Sequence, residues 1–304
     1  MRDKLKKLVA LGMMVPLVAL PVSGEQTDPG KDYAGSMVVT QYGIVATLQA
    51  VASQAGAQIL AKGGNAVDAA IAANAALGVI EPMMNGVGGD LFAMVYINKD
   101  KKLYGLNSSG WAPKGLSIEA LKAKGLDHMR TIDEVTVPGT VAGWQALHDR
   151  WGKLSLAEDL APAVALATNG FGVPETDAEN WDTYGMPFAK DPEFAKVFLR
   201  DGKAPVTGQL FRNPELAETL KRIQEHGRDG FYKGPTAEAI LQLERELGGF
   251  MEADDLTEFE PQWQEPISTT YHGWTVYEMP PNGQGEAALA MLNIMERFPI
   301  KEWG

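Results

Sequence analysis

The sequence of 304 residues contains no cysteine. This absence excludes disulfides, thiol nucleophiles and thiolate metal sites. Basic residues are also few, with 27 Lys and Arg against 39 Asp and Glu and a formal net charge of −12. Because nucleic-acid binding requires clustered positive charge to neutralise phosphates, this acidic balance argues against a nucleic-acid partner. Apolar residues make up 45% of the chain, which favours a folded globular protein over a disordered one.

Standard catalytic motifs are missing as well. There is no Gly-x-Ser-x-Gly nucleophile elbow, and none of the 4 histidines is spaced from another as zinc ligands are. The glycine-rich segment 85–90 precedes a predicted strand instead of a helix, which favours a tight turn over a phosphate-binding loop. The carboxylates of segment 254–260 are compatible with metal or acid–base chemistry, although a solvated acidic loop is the more ordinary interpretation. The sequence therefore predicts no metal, no cofactor and no self-contained catalytic group.

The N-terminus has the pattern of an export signal. Four basic side chains precede an apolar run from Leu8 to Leu20, and the segment ends in small residues near Gly24. The run of about 13 residues is too short to span a bilayer as a helix, so no stable membrane anchor is expected. The alternative is a buried first helix, which Pro16 and Pro21 disfavour. We therefore expect a signal peptide over residues 1–24, a polar linker over 25–36, and a periplasmic or secreted protein.

Hydrophobic patterns and capping signals predict an α+β fold with at least one mainly antiparallel sheet and a helical middle. Capping residues mark several helix starts, including Asn65 with Asp68 and Ser155 with Glu158. The predicted strands cover residues 37–39, 44–46, 91–97, 103–106, 266–271 and 274–279. The predicted helices cover residues 49–61, 66–77, much of 140–247, and 286–297.

Five segments in a fixed order resemble the gamma-glutamyltransferase family of N-terminal-nucleophile hydrolases. They are Gly63-Gly64-Asn65-Ala66-Val67-Asp68-Ala69-Ala70; Glu81-Pro82 with Gly86-Val87-Gly88-Gly89-Asp90; Val137-Pro138-Gly139-Thr140-Val141-Ala142-Gly143; Trp151-Gly152-Lys153-Leu154-Ser155-Leu156-Ala157-Glu158 with Leu160-Ala161-Pro162-Ala163; and Pro280-Pro281-Asn282-Gly283-Gln284-Gly285. The resemblance covers residues 37–304, which correspond to the large-subunit region of that family.

The resemblance implies an αββα sandwich that is incomplete in this chain. In the family, a precursor cuts itself before a threonine, and the new N-terminal Thr of the small subunit is the nucleophile, with its own amine as base. The expected partner is therefore a small subunit from the same precursor. The expected substrate is a gamma-glutamyl peptide such as glutathione, or another small acyl amide. Neither Thr269 nor Thr270 matches the processing context, so no catalytic residue is assigned to this chain.

The resemblance also points to Asn107, Ser108 and Ser109 as substrate-binding residues. Family members that act on glutathione have an arginine before an Ala-Pro pair, where it binds the substrate α-carboxylate; alignment on Ala112-Pro113 puts Ser109 in its place. A hydroxyl brings no charge and no bidentate fork, so glutamyl recognition should be weaker. The local sequence is more similar to cephalosporin-acylase-like and oxamate-amidohydrolase-like members. Two alternatives remain open: segment 107–110 is only a turn, or the chain is a non-catalytic binding module.

Overall fold

The computed structural model describes residues 38–303. From Thr40 onward the chain forms one compact unit, and the description below concerns that unit. The predicted signal peptide 1–24 and linker 25–36 lie outside the described residues. Within residues 38–303, no helix combines the length and the apolar character needed to cross a membrane.

Helices form most of the regular structure, as the sequence predicts for the middle of the chain. Short 3-10 turns occupy Thr131–Glu134 and Met186–Phe188, and a π-helical turn occupies Trp181–Gly185. The α-helices are α1 (Ala50–Ala61), α2 (Ala66–Ile80), α3 (Ile118–Ala123), α4 (Thr140–Trp151), α5 (Leu156–Asn169), α6 (Glu175–Asn180), α7 (Pro192–Phe198), α8 (Pro214–His226), α9 (Asp229–Tyr232), α10 (Gly234–Leu247), α11 (Ala253–Thr257), α12 (Gly285–Met295) and α13 (Ile300–Trp303).

The strands are β1 (Leu91–Ile97), β2 (Lys102–Ser108), β3 (Phe171–Gly172), β4 (Leu210–Phe211), β5 (Gln262–Gln264), β6 (Ile267–Tyr271) and β7 (Trp274–Glu278). They form three antiparallel arrangements: β1-β2-β5, β3-β4 and β6-β7. In the first sheet β2 is central, with Leu91 opposite Ser108 and Asn107 opposite Gln262. The C-terminal end of β2 therefore lies beside both neighbouring strands.

The core lies where the helices meet the first sheet. Helix α2 packs against α1, α4 and α5, and α4 also contacts β1 and β2. The nearly continuous apolar sequence of α2 explains its position, because its side chains are buried on several sides of the helix. A predicted capping box starts this helix: Asn65 Oδ1 accepts from Val67 N and Asp68 N, and Asp68 Oδ2 accepts from Asn65 N.

Two of the predicted strands are wrong, and three short strands, β3, β4 and β5, were not predicted. Residues 38–39 and 44–46 are not assigned to any strand, whereas Met37 lies outside the described residues. Their apolar side chains remain largely exposed, including Ile44 at 70%. Strand β5 is three residues long and rich in glutamine, so its sequence lacks a strand pattern. Its pairing with β2 is a tertiary effect that local propensity does not encode.

Candidate functional site

A ring of hydrogen bonds joins the end of β2 to two distant segments of the chain. Asn107 Nδ2 donates to Asn282 Oδ1 over 2.9 Å, and Asn282 Nδ2 donates to Ser109 Oγ over 3.0 Å. Ser109 Oγ in turn donates to Asp90 Oδ2 over 3.1 Å, while Ser109 N donates to Asn107 Oδ1 over 2.9 Å. The other carboxylate oxygen of Asp90 accepts from Gly110 N over 2.9 Å. Residues 107–110 are therefore fixed from both sides and do not form a loose turn.

Close backbone contacts hold this ring on the core. A Cβ on Gly110 would lie 1.7 Å from the Val137 carbonyl oxygen, and one on Gly139 would lie 1.9 Å from the Ser108 carbonyl oxygen. Gly139 N and Thr140 N both donate to the Gly89 carbonyl oxygen. The glycines thus let segment 137–140 lie against both the end of β2 and the turn that contains Asp90.

A cavity of about 280 Å³ opens beside the ring. Its wall combines amides, aromatic rings and one carboxylate, and the Trp111 ring packs edge-on against Phe259 with their centroids 5.0 Å apart. The lining residues are Asn107, Ser109, Gly110, Trp111, Phe259, Glu260, Gln262 and Asn282. Amide groups and aromatic faces suit a small polar organic molecule, because they orient it by hydrogen bonds and remove its apolar surface from water.

Two of the three predicted binding residues line this cavity. Asn107 and Ser109 are on its wall, whereas Ser108 points elsewhere: its side chain is fully buried and its hydroxyl donates to the Gly139 carbonyl oxygen over 2.7 Å. Ser108 therefore holds segment 137–140 in place. Sequence reasoning missed Asp90 and Asn282 as members of the ring, although both lie within the motif segments that carry the family resemblance.

The cavity wall carries no Lys or Arg. Arg228 contacts two residues of the cavity wall: its Nη1 pairs with Glu260 Oε1 at 2.6 Å, and its Nη2 donates to the Phe259 carbonyl oxygen at 2.6 Å. Asp90 has no ion-pair partner within residues 38–303. The Arg228 and Glu260 charges offset each other, so Asp90 gives this side of the site a negative character.

In the acidic segment 254–260, the carboxylates of Asp254, Glu258 and Glu260 are exposed to solvent as expected, whereas Asp255 is buried and has a structural role. Asp255 is 1% exposed, and its carboxylate accepts from Lys114 N over 2.9 Å and from Glu252 N over 2.8 Å. Glu258 pairs with the Lys114 side chain. In the described part of the chain, no group of three or more His, Asp and Glu side chains is placed to hold a metal ion.

The motifs around α2 and α4 also have a structural explanation. Asp68 is fully buried, and its Oδ1 accepts from Lys153 N over 2.9 Å. Asn65 Nδ2 donates to the Trp151 carbonyl oxygen over 2.6 Å. Two of the five motif segments are thus hydrogen-bonded to each other across 86 positions of sequence. Their side chains are used for packing α2 against the end of α4.

A buried carboxyl pair lies at the start of the motif that leads to Asp90. Gln49 Nε2 donates to Glu81 Oε1 and to Asp177 Oδ1, both over 2.9 Å, and all three side chains are buried. Burial, repulsion by Glu81 and a hydrogen bond to Glu81 raise the pKa of Asp177 to about 7. The pair ties α6 to the C-terminal end of α2, directly before Pro82.

Within residues 38–303 no histidine hydrogen-bonds to a serine or threonine hydroxyl. His148 Nε2 lies 2.9 Å from the Leu154 carbonyl oxygen, and His128 and His226 lie beside the acidic side chains that precede them. A nucleophile with a histidine base, as in a serine hydrolase, is thus missing from this part of the chain. The candidate site therefore contains no activated nucleophile of that type among the described residues.

Comparisons of the sequence and of the structure with known proteins point to the same family. Residues 52–304 match the family model of gamma-glutamyltranspeptidase. The chain is 40% identical over 253 residues to the glutathione hydrolase-like YwrD proenzyme of Bacillus subtilis (strain 168), a match that covers 83% of this chain and 48% of that protein. The chain spans about half the length of the curated relatives it matches.

Solved structures agree with the sequence match. The gamma-glutamyltranspeptidase of Helicobacter pylori superposes with a TM-score of 0.81 at 29% identity, covering 88% of this chain and 79% of that one. The cephalosporin acylase of Bacillus halodurans gives a TM-score of 0.78 at 40% identity, covering 88% of this chain and 52% of that one. These similarities confirm the predicted α+β fold of N-terminal-nucleophile hydrolases. With the match to the family model over most of its length, they show that the chain belongs to the gamma-glutamyltranspeptidase family.

Proposed function

We propose that this chain is the large-subunit part of an exported N-terminal-nucleophile hydrolase that cleaves or transfers acyl groups from small amides. The supporting observation is the cavity at the end of β2, which has amide and aromatic walls but lacks a nucleophile–histidine pair in the described residues. Such a site is expected to receive its nucleophile from elsewhere, and the family resemblance supplies a terminal Thr on a small subunit of the same precursor. The acyl donor is a gamma-glutamyl peptide or another acyl amide.

Exposed apolar surface supports the proposed partner. Strand β1 is an edge strand of its sheet in the described chain, and its outward side chains Phe92, Met94 and Tyr96 are 42%, 46% and 57% exposed. An open strand edge with a row of exposed apolar side chains is a surface on which another strand can add. A small subunit that adds a strand here would cover the backbone edge, and a layer of the same subunit packed on this face would cover these side chains.

Export is part of the proposal and rests on the sequence pattern of residues 1–24. N-terminal sequencing of material recovered outside the cytoplasm tests it. A mature N-terminus near residue 25 is expected, and exported protein that still begins at Met1 would contradict it.

The test of the activity uses the complete gene. We expect the expressed precursor to cut itself before a threonine and then to hydrolyse a small acyl amide, or to transfer its acyl group to an amine. A stop codon directly after Gly304, with no partner subunit encoded elsewhere, would overturn the proposal. The competing proposal is a non-catalytic binding module. It predicts tight binding of an acyl-amino acid with no turnover when the downstream sequence is supplied.

A further inference from the structure

The Asp90 carboxylate beside the cavity has unused hydrogen-bonding capacity. The Asp90 carboxylate uses one lone pair of each oxygen, on Gly110 N and on Ser109 Oγ. A carboxylate has about four lone-pair positions, so two remain for further donors. The side chain is exposed at the rim, and no cation within residues 38–303 is paired with it.

The groups around Asp90 are neutral hydrogen-bonding amides. Asn282 uses one N–H of its amide on Ser109 Oγ, which leaves a second N–H. The exposed Gln262 also lines the cavity and pairs with Asn107 in the neighbouring strand. A ligand carboxamide fits this set, because its NH₂ can donate to Asp90 and its carbonyl oxygen can accept from an amide N–H. A ligand carboxylate has no N–H to offer Asp90 and is repelled by it.

We propose that Asp90 is a specificity-determining residue that makes this cavity select acyl groups with a neutral carboxamide substituent over those with a carboxylate at the same position. This inference rests on the proposed function and narrows its substrate class. Arg228 does not reverse this preference for a carboxamide, because its guanidinium already donates to Glu260 and to the Phe259 carbonyl oxygen.

The test compares two matched substrates with the complete, self-processed precursor. One is gamma-glutamyl p-nitroanilide and the other is the same compound with its α-carboxylate converted to a carboxamide. We expect kcat/KM to favour the carboxamide by on the order of tenfold or more. Asp90→Asn should reduce this preference by on the order of tenfold, mainly by lowering KM for the carboxylate substrate. Asn can still accept from Gly110 N and hydrogen-bond to Ser109 Oγ, so the ring is preserved.

A matched control removes the same charge elsewhere. Glu238 is exposed on α10, and Glu238→Gln should leave the substrate preference unchanged. A wild-type preference for the carboxylate substrate would overturn the inference. An unchanged preference in Asp90→Asn would overturn it as well.

A binding measurement separates this inference from the proposed activity. Calorimetry with the same protein compares glutamate with isoglutamine, its α-carboxamide, and needs no turnover. Tighter binding of isoglutamine that Asp90→Asn abolishes supports the inference even if neither anilide is hydrolysed, in which case only the proposed activity fails. If the anilides are hydrolysed but glutamate binds as tightly as isoglutamine, the inference fails and the activity stands. Absence of binding by both ligands overturns the inference too.

Discussion

The hydroxyl of Ser109 donates a hydrogen bond to the carboxylate of Asp90 over 3.1 Å. The residue that the family resemblance places at a carboxylate-binding position therefore has a protein carboxylate as its partner. Ser109 also accepts from Asn282, so its oxygen is held between an acidic and an amide side chain. Glutamyl recognition is therefore expected to depend on Asp90 as well as on Ser109, because the Asp90 carboxylate would repel the substrate carboxylate.

The first prediction concerns Ser109→Arg. An arginine at this position would lie beside Asp90 and form an ion pair with it, so the single variant should gain only modestly toward gamma-glutamyl p-nitroanilide. The double variant Asp90→Asn/Ser109→Arg frees the guanidinium and should gain more. A charged carboxylate contact contributes about 1.5 to 3 kcal/mol, or about ten- to hundredfold in affinity. Steady-state kinetics of both variants of the complete protein tests this. No gain in either variant would show that position 109 does not meet the substrate carboxylate.

The second prediction concerns the close contact of Gly139 with β2. A Cβ at this position would lie 1.9 Å from the Ser108 carbonyl oxygen, and both residues are buried. Gly139→Ala should lower the free energy of unfolding by about 2 to 4 kcal/mol, because the backbone must move to relieve the overlap. Gly88→Ala is the control, since a Cβ added there would have no atom within 4 Å. Urea unfolding measures the free energy of unfolding of both variants. Equal stability of the two would contradict the close contact between Gly139 and the Ser108 carbonyl oxygen.

The third prediction is a pH dependence of stability caused by Asp177. Its pKa rises from 3.8 to about 7 on folding. Between these values the folded chain keeps a proton that the unfolded chain has lost, so the stabilisation is complete below about pH 4 and is lost as the pH rises through 7. Asp177→Asn resembles the protonated form, since its amide can donate to Glu81 and its carbonyl can accept from Gln49.

The free energy of unfolding of Asp177→Asn should therefore fall less between pH 4 and pH 7 than that of the wild type, by about 2 to 4 kcal/mol. Urea titrations at several pH values measure this difference. The control is Asp182→Asn, an exposed position on the neighbouring π-helical turn, and its profile should follow the wild type. Identical pH profiles for wild type and Asp177→Asn would exclude a shared proton at the pair.

The fourth prediction concerns the exposed side of β1. Met94→Lys places a charge on the surface that we propose the small subunit covers. Burial of a methionine side chain contributes about 1.5 to 3 kcal/mol, so the association of the two subunits should weaken by at least that amount. Leu243→Lys on α10 is the matched control, because Leu243 is an apolar residue that is 52% exposed and lies outside the sheet that contains β1. Analytical ultracentrifugation of the processed protein measures how strongly the two subunits associate in each variant. Equal dissociation constants for Met94→Lys and Leu243→Lys would contradict the proposed interface.

Local signals in the sequence predicted most of the fold because the caps and the strand pattern are encoded by neighbouring residues. Strand β1 has the predicted bounds, and the capping boxes at Asn65 and Ser155 are both present. Two apolar runs near the start of the described chain were wrongly predicted as strands, because apolar sequence alone does not supply a pairing partner. Strand β5 was missed for the opposite reason: only its pairing with β2 makes it a strand.

The site was predicted less completely than the fold. The family resemblance predicts substrate binding at residues 107–109, but the sequence could not show that Ser108 points into the core whereas Ser109 faces the cavity. The roles of Asp90 and Asn282 depend on contacts across 19 and 173 positions. Such contacts are set by the packing of β2 against distant segments, which no local pattern reveals.

The proposed function requires that self-cleavage of the precursor creates the nucleophile. Intact-mass spectrometry of the complete precursor, followed by N-terminal sequencing of its fragments, tests this requirement directly. We expect two fragments after incubation, the first containing residues 38–303 and the second beginning with threonine. Replacement of that threonine by alanine should abolish both the cleavage and amide hydrolysis. A precursor that stays intact while hydrolysing amides, or that is cut before another residue type, would contradict a threonine nucleophile on a second subunit.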